Sequence, residues 1–506
     1  MDPAQPTTSN NAFSSGVHSR TVAVIGGGLA GLASACALAE SGFRVTLFER
    51  RPYLGGRASS YEHPGTGEVV DNCQHVLFGL CTNLIAFYEK IGIEDKIRWF
   101  DGMTFIEPGG RQSPLNPSSL PAPLQVMPSF LGFKFLNAHD KFVLSRALAA
   151  LVTRIPPDDG TSFQDWLHRH HQTNAAIERF WKPVLVSALS EDLDRISIPY
   201  AAQVIRESMK SSAARRMGIP SVPLTQLYNA ATDYIGTRGG TVRFRAGVQG
   251  FAPYDERVLV KLADSEESFD YAILAVPSDS LAKLLPDLPE SQGLKDKLSH
   301  FETSPITGVH FWFDRQITDL PHAVLLDRTI QWMFHKSLLL NQSLASSPEG
   351  TPENSPALQR WERAQDHPSP VGTAEPRPSY VELVISSSKS LINKSRQEII
   401  DLALKELREF FPGARDASLV KATVIKELNA TFSPLPGIDR YRPSSETAWP
   451  RVVLAGDWTA TGWPATMEGA VRSGYVAAET LATHANAPKR FLSPDLPPTG
   501  FMRLFR

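Results

Sequence analysis

Three glycines near the start of the chain form a pattern that suits phosphate binding. Gly26, Gly28 and Gly31 follow an apolar segment typical of a buried strand and lead into an alanine-rich segment typical of a helix, in which Leu29 and Ala30 already take part. Glycines let the backbone turn tightly and bring its N–H groups against phosphate oxygens, and the positive end of the helix balances the phosphate charge. The pattern predicts the pyrophosphate site of a dinucleotide.

An acidic residue stands where such a site binds ribose. The helix should end near Gly42, a typical left-handed cap position, and a second apolar strand then runs to Glu49, 18 residues after Gly31. A carboxylate there accepts hydrogen bonds from the adenosine ribose hydroxyls and disfavours a 2′-phosphate. The order of strand, glycines, helix, strand and acid indicates a dinucleotide more strongly than the glycines alone.

Two further motifs narrow the choice of dinucleotide. Residues 50–57 hold a second glycine pair between arginines, and residues 451–474 predict a short strand, a carboxylate and a helix with Thr466 at its N-cap. Enzymes that bind only a nicotinamide have no general need for the second glycine pair. Together these motifs resemble the extended fingerprint of the flavin-containing amine oxidase and phytoene desaturase superfamily, which implies FAD as the cofactor. The resemblance implies cofactor contacts at Arg50, Gly55, Gly56, Arg57, Val248, Gly456, Asp457, Thr466, Met467, Gly469 and Ala470.

The resemblance also assigns these residues to parts of the cofactor. Gly55, Gly56 and Arg57 would approach the flavin, and Asp457 would lie near the ribityl and phosphate region. Val248 would contact the adenine through its backbone. The helix that begins at Met467 would point at the pyrimidine edge of the flavin, where a helix N-terminus stabilises the negative charge of the reduced ring.

The three cofactor segments are far apart in a chain of 506 residues, which is too long for one ordinary domain. We therefore predict a mixed α/β fold with a Rossmann-like FAD-binding domain of the glutathione-reductase-2 or amine oxidase type, discontinuous in sequence, at 21–100, 236–280 and 446–485. A second domain of sheet and helices, at 101–235 and 281–445, should bind substrate over the flavin, since ligands favour such interfaces. Residues 1–20 should form a disordered tail, and residues 486–506 should form a C-terminal tail. Residues 341–379 contain seven prolines and should form a mobile insertion.

Composition excludes several classes of function. The net charge of −2, with no clustered basic residues, argues against nucleic-acid binding. Cys36, Cys73 and Cys81 have neither C-x-x-C spacing nor a disulfide framework, so we expect packed thiols, a reducing compartment and no metal site. The polar N-terminal residues lack the apolar core of a signal peptide, and no apolar run is long enough to span a membrane. We expect a cytoplasmic protein that could attach peripherally to the inner face of the plasma membrane.

Two apolar regions leave the membrane question open. Residues 127–136 and 142–152 carry more large apolar side chains than a solvent loop needs. These side chains could pack in the core. Equally, they could line an apolar entrance to the substrate site or form a patch that contacts the bilayer surface. Residues 489–492 and 501–506, basic and aromatic together, suit an anionic lipid surface, a partner groove or a frayed tail.

A narrower resemblance rests on residues 54–57, 70–76 and 462–474, which are similar to those of the hydroxysqualene dehydroxylases. It extends over nearly the whole chain from residue 21 to about 478, apart from the insertion, although Cys73 stands where some relatives have glycine. The resemblance implies reductive removal of the hydroxyl of hydroxysqualene with hydride from reduced FAD, to give squalene for hopanoid biosynthesis. The substrate would be a long apolar isoprenoid in a water-excluding cavity. Because only one dinucleotide fingerprint is present, an external electron donor must reduce the flavin.

The departing hydroxyl needs a proton donor, and Asp71 and His75 are the candidates, because the resembled family places their motif along the flavin. The alternative is structural, with Asp71 capping a turn and His75 packed in the core. Trp332, His335 and Trp463 are further candidates for the cavity lining, without a catalytic role.

Three other functions remain open from the sequence. A carotenoid-type desaturase would transfer hydride in the opposite direction on the same scaffold. An amine oxidase commonly uses a lysine that bridges a water to the flavin, and the sequence offers no residue that we can assign to it. A scaffold protein without flavin is disfavoured because the glycine set is complete.

Overall fold

The computed structural model describes residues 20–254, 256–340 and 379–505. The predicted tail 1–20 and insertion 341–379 lie outside the described residues except for Arg20 and Ser379. The strands are β1 Thr21–Ile25, β2 Arg44–Phe48, β3 Ser60–Glu62, β4 Val69–Asp71, β5 Leu77–Phe78, β6 Ile97–Phe100, β7 Met103–Ile106, β8 Gln112–Leu115, β9 Met217–Pro220, β10 Thr241–Arg243, β11 Gly250–Tyr254, β12 Arg257–Lys261, β13 Glu266–Phe269, β14 Tyr271–Leu274, β15 Thr303–Phe313, β16 His322–Leu325, β17 Trp332–His335, β18 Ser379–Ser386, β19 Leu419–Phe432 and β20 Val452–Leu454.

The described residues also form fifteen α-helices. They are α1 Leu29–Glu40, α2 Thr82–Ile91, α3 Met127–Leu131, α4 Ala138–Thr153, α5 Phe163–Arg169, α6 Asn174–Ala176, α7 Lys182–Leu189, α8 Ile198–Met209, α9 Leu224–Gly236, α10 Ser278–Leu284, α11 Pro289–Leu298, α12 Lys336–Leu339, α13 Arg396–Phe410, α14 Gly413–Asp416 and α15 Met467–His484. A π-helical turn, Ile177–Trp181, joins α6 to α7. No helix within the described residues is long and apolar enough to cross a bilayer.

A five-stranded parallel sheet carries the glycine motif. Its order is β10-β2-β1-β14-β20, so strands from the start, middle and end of the chain lie side by side. Helices α1, α2, α9 and α15 share one apolar core with this sheet. The helix α9 therefore packs with the nucleotide side of the molecule, although the sequence analysis assigns residues up to 235 to the substrate domain.

Helix α1 is buried on nearly all sides because most of its side chains are small. Its alanines let α15 approach closely, and Gly474 of α15 lies against Ala30: a Cβ on Gly474 would come within 2.3 Å of the Ala30 carbonyl oxygen. The two ends of the described chain thus form one packed layer over the parallel sheet.

A seven-stranded mixed sheet forms the second layer of the molecule. Its order is β19-β15-β18-β17-β16-β7-β8. One face packs against α13 and α14 through apolar side chains such as Phe311, Leu383 and Leu407. The other face, which carries His310, Trp312 and Tyr380, lies over the hairpin of β3 and β4 and the segment after it. This contact joins the second sheet to the nucleotide side.

Helices α3 to α8 form a separate apolar core beside the second sheet. The apolar helix predicted at 142–152 lies within α4, where Leu144, Ala147 and Leu151 are buried but Phe142 is 61% exposed. One face of this helix therefore belongs to the core, and the opposite face is exposed. Cys36, Cys73 and Cys81 are buried free thiols, as predicted.

Candidate functional site

The glycine-rich turn between β1 and α1 requires its glycines. Gly26 has a φ of +110°, and a Cβ there would lie 2.4 Å from the Ala275 carbonyl oxygen. A Cβ on Gly31 would lie 1.9 Å from the Gly26 carbonyl oxygen. A Cβ on Gly28, by contrast, would have only Gly56 Cα within 4 Å, at 3.9 Å. The turn is tight against the protein and more open at the N-cap of α1.

No side chain caps the N-terminus of α1. Its N-cap is Gly28, and its first turn, which includes Leu29 and Ala30, contains no acidic residue. The first N–H groups of a helix need acceptors, and an anion supplies them while matching the helix dipole. The arrangement fits a phosphate ligand, as the glycine spacing predicts.

Glu49 lies at the tip of β2 and is 6% exposed. Its carboxylate accepts the N–H of Gly27 at 2.8 Å and the N–H of Arg51 at 2.8 Å. The acid thus positions the glycine-rich turn, in addition to any contact with ribose. The segment that leads to Val248 passes beside it, because Ala246 donates its N–H to the Glu49 carbonyl at 2.9 Å.

The second glycine pair packs directly on the first motif. Gly55 donates its N–H to the Gly27 carbonyl at 2.9 Å, and Gly55 and Gly56 both have positive φ values. A Cβ on Gly55 would come within 2.2 Å of the Ala58 carbonyl oxygen and 2.9 Å of the Tyr228 ring. This loop therefore lies against the glycine-rich turn, and Arg50 at its start is exposed.

Arg57 joins this loop to the far end of the chain. Its guanidinium forms an ion pair with Asp457 at 2.7 Å and donates to the Ala430 carbonyl at 2.9 Å. A small pocket of about 10 Å³ borders both residues and is lined also by Pro277, Asp279 and Phe432. Gly456, just before Asp457, has a φ of +156° and donates its N–H to Ser473 of α15 at 2.8 Å.

The N-terminus of α15 closes the same region. Thr466 caps the helix as predicted, since its hydroxyl accepts the Gly469 N–H at 3.0 Å. Gly469 is needed because a Cβ would lie 2.5 Å from the Pro464 carbonyl oxygen. Ala470 packs on the core shared with α1, and Met467 Sδ lies 3.8 Å from the hydroxyl of Tyr228. Since Tyr228 also borders Gly55, the start of α15 adjoins the second glycine pair.

Asp71 lies in a buried ion pair that the sequence analysis does not foresee. One carboxylate oxygen accepts from Lys336 Nζ at 2.6 Å, and the other accepts from the Ser60 hydroxyl at 2.5 Å and the Leu224 N–H at 3.3 Å. Burial alone would raise the pKa of Asp71, but the ammonium and these hydrogen bonds lower it below its usual value. A carboxyl group held ionised cannot donate a proton, so the proton-donor role predicted for Asp71 does not fit its surroundings.

Lys336 is the centre of this buried cluster. It is 2% exposed, and besides Asp71 its ammonium donates to Gln74 Oε1 at 2.7 Å and pairs with Glu382 at 3.6 Å. Burial opposes the charge of the lysine, yet the two carboxylates raise its pKa above the ordinary value. Each N–H of the ammonium thus faces an oxygen of the protein.

Glu382 and His310 stand opposite each other on β18 and β15, and both are fully buried. Burial raises the pKa of Glu382 to about 8 despite the attraction of Lys336. Burial likewise lowers the pKa of His310 to about 3, so its imidazole is neutral. His310 Nδ1 lies 2.9 Å from the Tyr380 hydroxyl.

His75 is not brought into contact with Asp71. Its Nδ1 lies 2.6 Å from the Cys73 carbonyl oxygen and donates to it, and burial lowers its pKa. The imidazole is therefore neutral at pH 7, with Nε2 as an acceptor. His75 fits a base or a packed side chain better than the acid that the sequence analysis predicts.

The three lining candidates lie in different surroundings. Trp332 stacks on Phe334 and donates its indole N–H to Ser187 at 2.8 Å. His335 is buried beside the Ser379 hydroxyl, and burial lowers its pKa to about 4. Trp463 lies under the guanidinium of Arg472, 4.4 Å from the ring centre. Only Trp332 borders the apolar cluster described next.

An apolar cluster, here called the apolar wall, adjoins the segment that follows Asp71. It consists of the buried side chains of Cys73, Met217, Ile219, Phe334, Leu339 and Val384. Ile306, Phe100 and Trp332 pack against it. A second pocket, of about 180 Å³, borders Phe100 and His322. The apolar wall and the charged cluster of Lys336 therefore meet at Cys73 and Glu382.

Four residues of the buried cluster are not predicted from the sequence: Lys336, Glu382, His310 and Tyr380. The available signal was a charged or titratable residue inside an otherwise apolar strand, as Glu382 is in β18 and His310 in β15. Such residues are rarely buried without a partner. Their partners lie far away in sequence, and the spacing therefore gives no clue to them.

The chain matches the family model described as flavin containing amine oxidoreductase over residues 29–482. It is 25% identical over 490 residues to the 15-cis-phytoene desaturase of Synechococcus elongatus, which covers 93% of this chain and 97% of that protein. It is also 25% identical over 493 residues to a probable zeta-carotene desaturase of the same organism, with 91% and 98% covered. The fold is similar to that of an oxidoreductase of Methanosarcina mazei, with a TM-score of 0.64 at 16% identity over 90% of this chain and 98% of that one.

Proposed function

The chain belongs to the flavin-containing amine oxidoreductase family, and from this premise we propose that it exchanges hydride between FAD and a long acyclic isoprenoid. Bound FAD supplies hydride transfer in either direction. The residues that would hold it are the turn Gly26–Gly31 with Glu49, the loop Gly55–Arg57, Val248, Asp457 and the start of α15. Their fit rests on the uncapped N-terminus of α1 and on glycines whose Cβ atoms would collide with neighbouring backbone.

The apolar wall is the observation that supports an isoprenoid substrate. It lies beside Cys73, in the segment that continues from the loop of Arg57: Asn72 donates its amide to the Arg57 carbonyl at 3.1 Å. A hydrocarbon chain gains about 0.8 kcal/mol for each CH₂ that it buries. A wall of this composition therefore suits a polyene better than a charged amine.

Desaturation is the reaction that the comparisons favour. The curated relatives are phytoene and zeta-carotene desaturases that match over nearly their whole length. In this reaction the substrate loses a hydride and a proton, and an external acceptor takes the electrons. This support is stronger than the support for the reductive reaction that our sequence analysis places first.

Reductive dehydroxylation of hydroxysqualene remains a second candidate, because residues 70–76 and 462–474 resemble that group. In this reaction the substrate gains a hydride, the C–O bond breaks, and the hydroxyl leaves as water after it receives a proton. An external donor supplies the electrons. A carboxyl group whose pKa is raised to about 8, such as Glu382, is still protonated at pH 7 and suits the proton donor.

Amine oxidation is less well supported. Lys336 is a buried lysine beside the segment of Asp71, but its ammonium donates to Asp71 and Gln74 and pairs with Glu382 at 3.6 Å. Two of its three N–H groups are therefore engaged by the protein, and two carboxyl groups hold the ammonium in place. The solved amine oxidases that share the fold do so at about 16% identity, which indicates architecture alone.

The test is a parallel assay of FAD-loaded protein with two isoprenoids. Phytoene is offered with a quinone acceptor, and hydroxysqualene is offered anaerobically after reduction with dithionite. Products are separated by chromatography and identified by mass. Conversion of phytoene to a more unsaturated product selects desaturation, and conversion of hydroxysqualene to squalene selects dehydroxylation. Turnover of neither, with hydrogen peroxide released from amines instead, would overturn the proposal.

A further inference from the structure

The second pocket lies beside the apolar wall and opens to the surface. It has a volume of about 180 Å³, and it is lined by the end of β6, the start of β7 and the start of β16 with the residues next to them. A single buried water needs only about 10–15 Å³ of such space. The pocket is therefore large enough to receive a segment of a ligand.

Phe100 belongs to both the second pocket and the apolar wall. It lines the pocket, and it also packs against the buried side chains of the wall. On β6 it stands opposite Met217 of β9, which is a member of the wall. Directly paired residues lie on the same face of a sheet. The pocket and the wall are therefore neighbours that share one aromatic side chain.

His322 connects the pocket to the wall a second time. On β16 it stands opposite Phe334, another member of the wall. Its ring meets the ring of Phe100 edge to face, with 4.9 Å between the ring centres. Burial lowers the pKa of His322 to about 4, so its imidazole is uncharged at pH 7. The side of the pocket next to the wall thus carries two uncharged rings.

The remaining lining also favours an uncharged occupant. Among the lining residues that the structure describes, Asp101 alone is charged at pH 7. It is exposed and pairs with Arg216 at 3.0 Å, so its charge is already matched. Met103, Leu320 and Pro321 are half-buried apolar residues of the lining. The pocket therefore suits a hydrocarbon group better than an anion or an amine.

A long isoprenoid extends beyond the apolar wall. An acyclic isoprenoid of thirty carbons, with about 23 main-chain bonds, is roughly 28 Å long at about 1.2 Å per bond, as in an extended polypeptide. From Val384 on β18 to His322 on β16 the sheet spans two strand spacings, which is about 10 Å. A chain that lies across the wall must therefore continue past it, and the second pocket offers adjoining apolar space.

We propose that the second pocket binds the terminal isoprene units of a long substrate whose middle lies against the apolar wall. The inference rests on the proposed function, because it takes the apolar wall as the isoprenoid site. It adds a subsite through which the protein prefers long chains to short ones. Phe100 lies where the chain passes from the wall into the pocket.

The first experiment asks whether a hydrocarbon reaches the pocket. All three cysteines of the chain are buried, so a thiol introduced by Thr104→Cys, in the pocket lining, would react selectively with a water-soluble maleimide. Squalene is added in detergent to the FAD-loaded protein. We expect it to slow the reaction about tenfold, relative to detergent alone, when its concentration is about ten times its Kd.

Gln112→Cys is the matched control for that variant. Gln112 is exposed on β8, in the same β-hairpin as Thr104 but outside the pocket lining. The thiol introduced there should react at the same rate with and without squalene. Equal slowing at both positions would show a general effect of the hydrocarbon and would overturn the inference.

The second experiment fills the pocket. Thr104→Cys protein is modified with a bulky maleimide, and the retention of radiolabelled squalene and farnesene is measured by gel filtration. We expect the modification to weaken squalene binding at least about tenfold, because loss of contact for only two CH₂ groups already has that effect. Farnesene has fifteen carbons and is short enough for the wall alone, so its binding should be unchanged. The unmodified variant should bind both hydrocarbons as the wild type does.

The outcomes separate this inference from the proposed function. If the wild type retains squalene but squalene does not slow the reaction of Thr104→Cys, the inference is overturned. It is also overturned if the filled pocket weakens squalene and farnesene equally, or weakens neither. If the FAD-loaded wild type retains neither hydrocarbon, the proposed function itself fails.

Discussion

The ammonium of Lys336 faces two carboxyl groups inside the protein, and its single positive charge can neutralise only one of them. Asp71 is the close partner at 2.6 Å, and Glu382 is more distant at 3.6 Å. Two buried carboxylates beside a single ammonium would leave an uncompensated negative charge, which is expensive in a low dielectric. The protein avoids this cost because Glu382, with its pKa raised to about 8, holds its proton at neutral pH.

The first prediction concerns pH. In the unfolded chain Glu382 ionises near pH 4.5, and in the folded chain near 8. Between these values the folded state holds the proton, so stability falls as pH rises, by at most about 1.4 kcal/mol per pH unit. Glu382→Gln removes this slope. In urea unfolding, the free energy of unfolding of the variant should therefore rise relative to that of the wild type as pH increases from 6.5 to 8.

Neighbouring groups define that pH window. The pKa of His310, lowered to about 3 from 6.5, makes stability rise with pH below 6.5, which is the opposite effect. The pKa of Asp71 is lowered, and those of Lys336, Tyr380 and Cys73 are raised, so in the folded protein none of these groups titrates in the window. A difference between variant and wild type that stays constant from pH 6.5 to 8 would contradict the prediction.

The second prediction concerns the coupling of the two acids. Asp71→Asn should lower the free energy of unfolding, but by less than the roughly 3–5 kcal/mol typical of a broken buried pair, because Glu382 can ionise and replace the lost charge. Asp71→Asn with Glu382→Gln leaves Lys336 without any carboxylate. Its cost should exceed the sum of the single costs by about 1 kcal/mol or more in a double-mutant cycle. Additive costs would show that Glu382 does not compensate Lys336.

Residues that act through local spacing could be predicted, and residues that act through distant contacts could not. Gly26, Gly31 and Glu49 lie within one strand–helix–strand unit, so their spacing already fixes their geometry. Lys336 meets Asp71 across 265 residues, and no pattern in either segment points to the other. The proton-donor role expected of Asp71 does not fit its surroundings, because the sequence does not reveal the lysine that keeps the carboxylate ionised.

At the scale of elements, the crossing of α1 and α15 holds the cofactor side together. The two helices approach closely at Ala30 and Gly474, where a Cβ on Gly474 would meet the backbone of Ala30. The sequence predicts both helices, the Thr466 cap and the glycine positions, because each depends on neighbouring residues. It does not predict that α9 joins the same core, since an apolar face can pack against either sheet.

The third prediction tests this crossing. A methyl group on Gly474 would lie 2.3 Å from the Ala30 carbonyl oxygen, and backbone cannot give way without separating the helices. Gly474→Ala should therefore lower the free energy of unfolding by about 1–3 kcal/mol and weaken retention of FAD in gel filtration.

Gly293→Ala is the matched control for that variant. Gly293 lies in α11 with nothing within 4 Å of its Cβ position. Alanine should be neutral or stabilise the protein there by up to about 1 kcal/mol, because glycine is the poorer helix former. Equal effects of the two substitutions would show that α1 and α15 are not closely packed.

At the scale of the molecule, several exposed apolar side chains lie in segments 120–155 and 500–505. Leu131 is 60% exposed, Phe142 61% and Leu504 75%. The two segments touch, since Phe501 donates its N–H to the Ala122 carbonyl at 2.8 Å and Met502 packs against Val152. Basic residues stand nearby, among them Arg146, which lies over the Phe142 ring. The composition suits a bilayer surface.

The fourth prediction follows from this surface. We expect the protein to co-sediment with vesicles that contain phosphatidylglycerol. Phe142→Ser combined with Leu504→Ser should lower the partition coefficient about tenfold or more, because burial of one such side chain contributes about 1.5–3 kcal/mol. Tyr254→Ser, an equally exposed aromatic on β11, should have no effect. A loss of binding with Tyr254→Ser as well would point to unspecific adsorption.

The order of strands in the parallel sheet also bears on how the protein matures. Strand β20 and helix α15 come late in the chain, at Val452–Leu454 and Met467–His484. Asp457 follows the strand, and both Asp457 and the capped start of the helix lie beside the glycine motifs. A nascent polypeptide that has not yet released these residues from the ribosome holds only part of the flavin cradle. We therefore expect cofactor capture only after this strand and helix have left the ribosome, and a product truncated before residue 452 should emerge colourless.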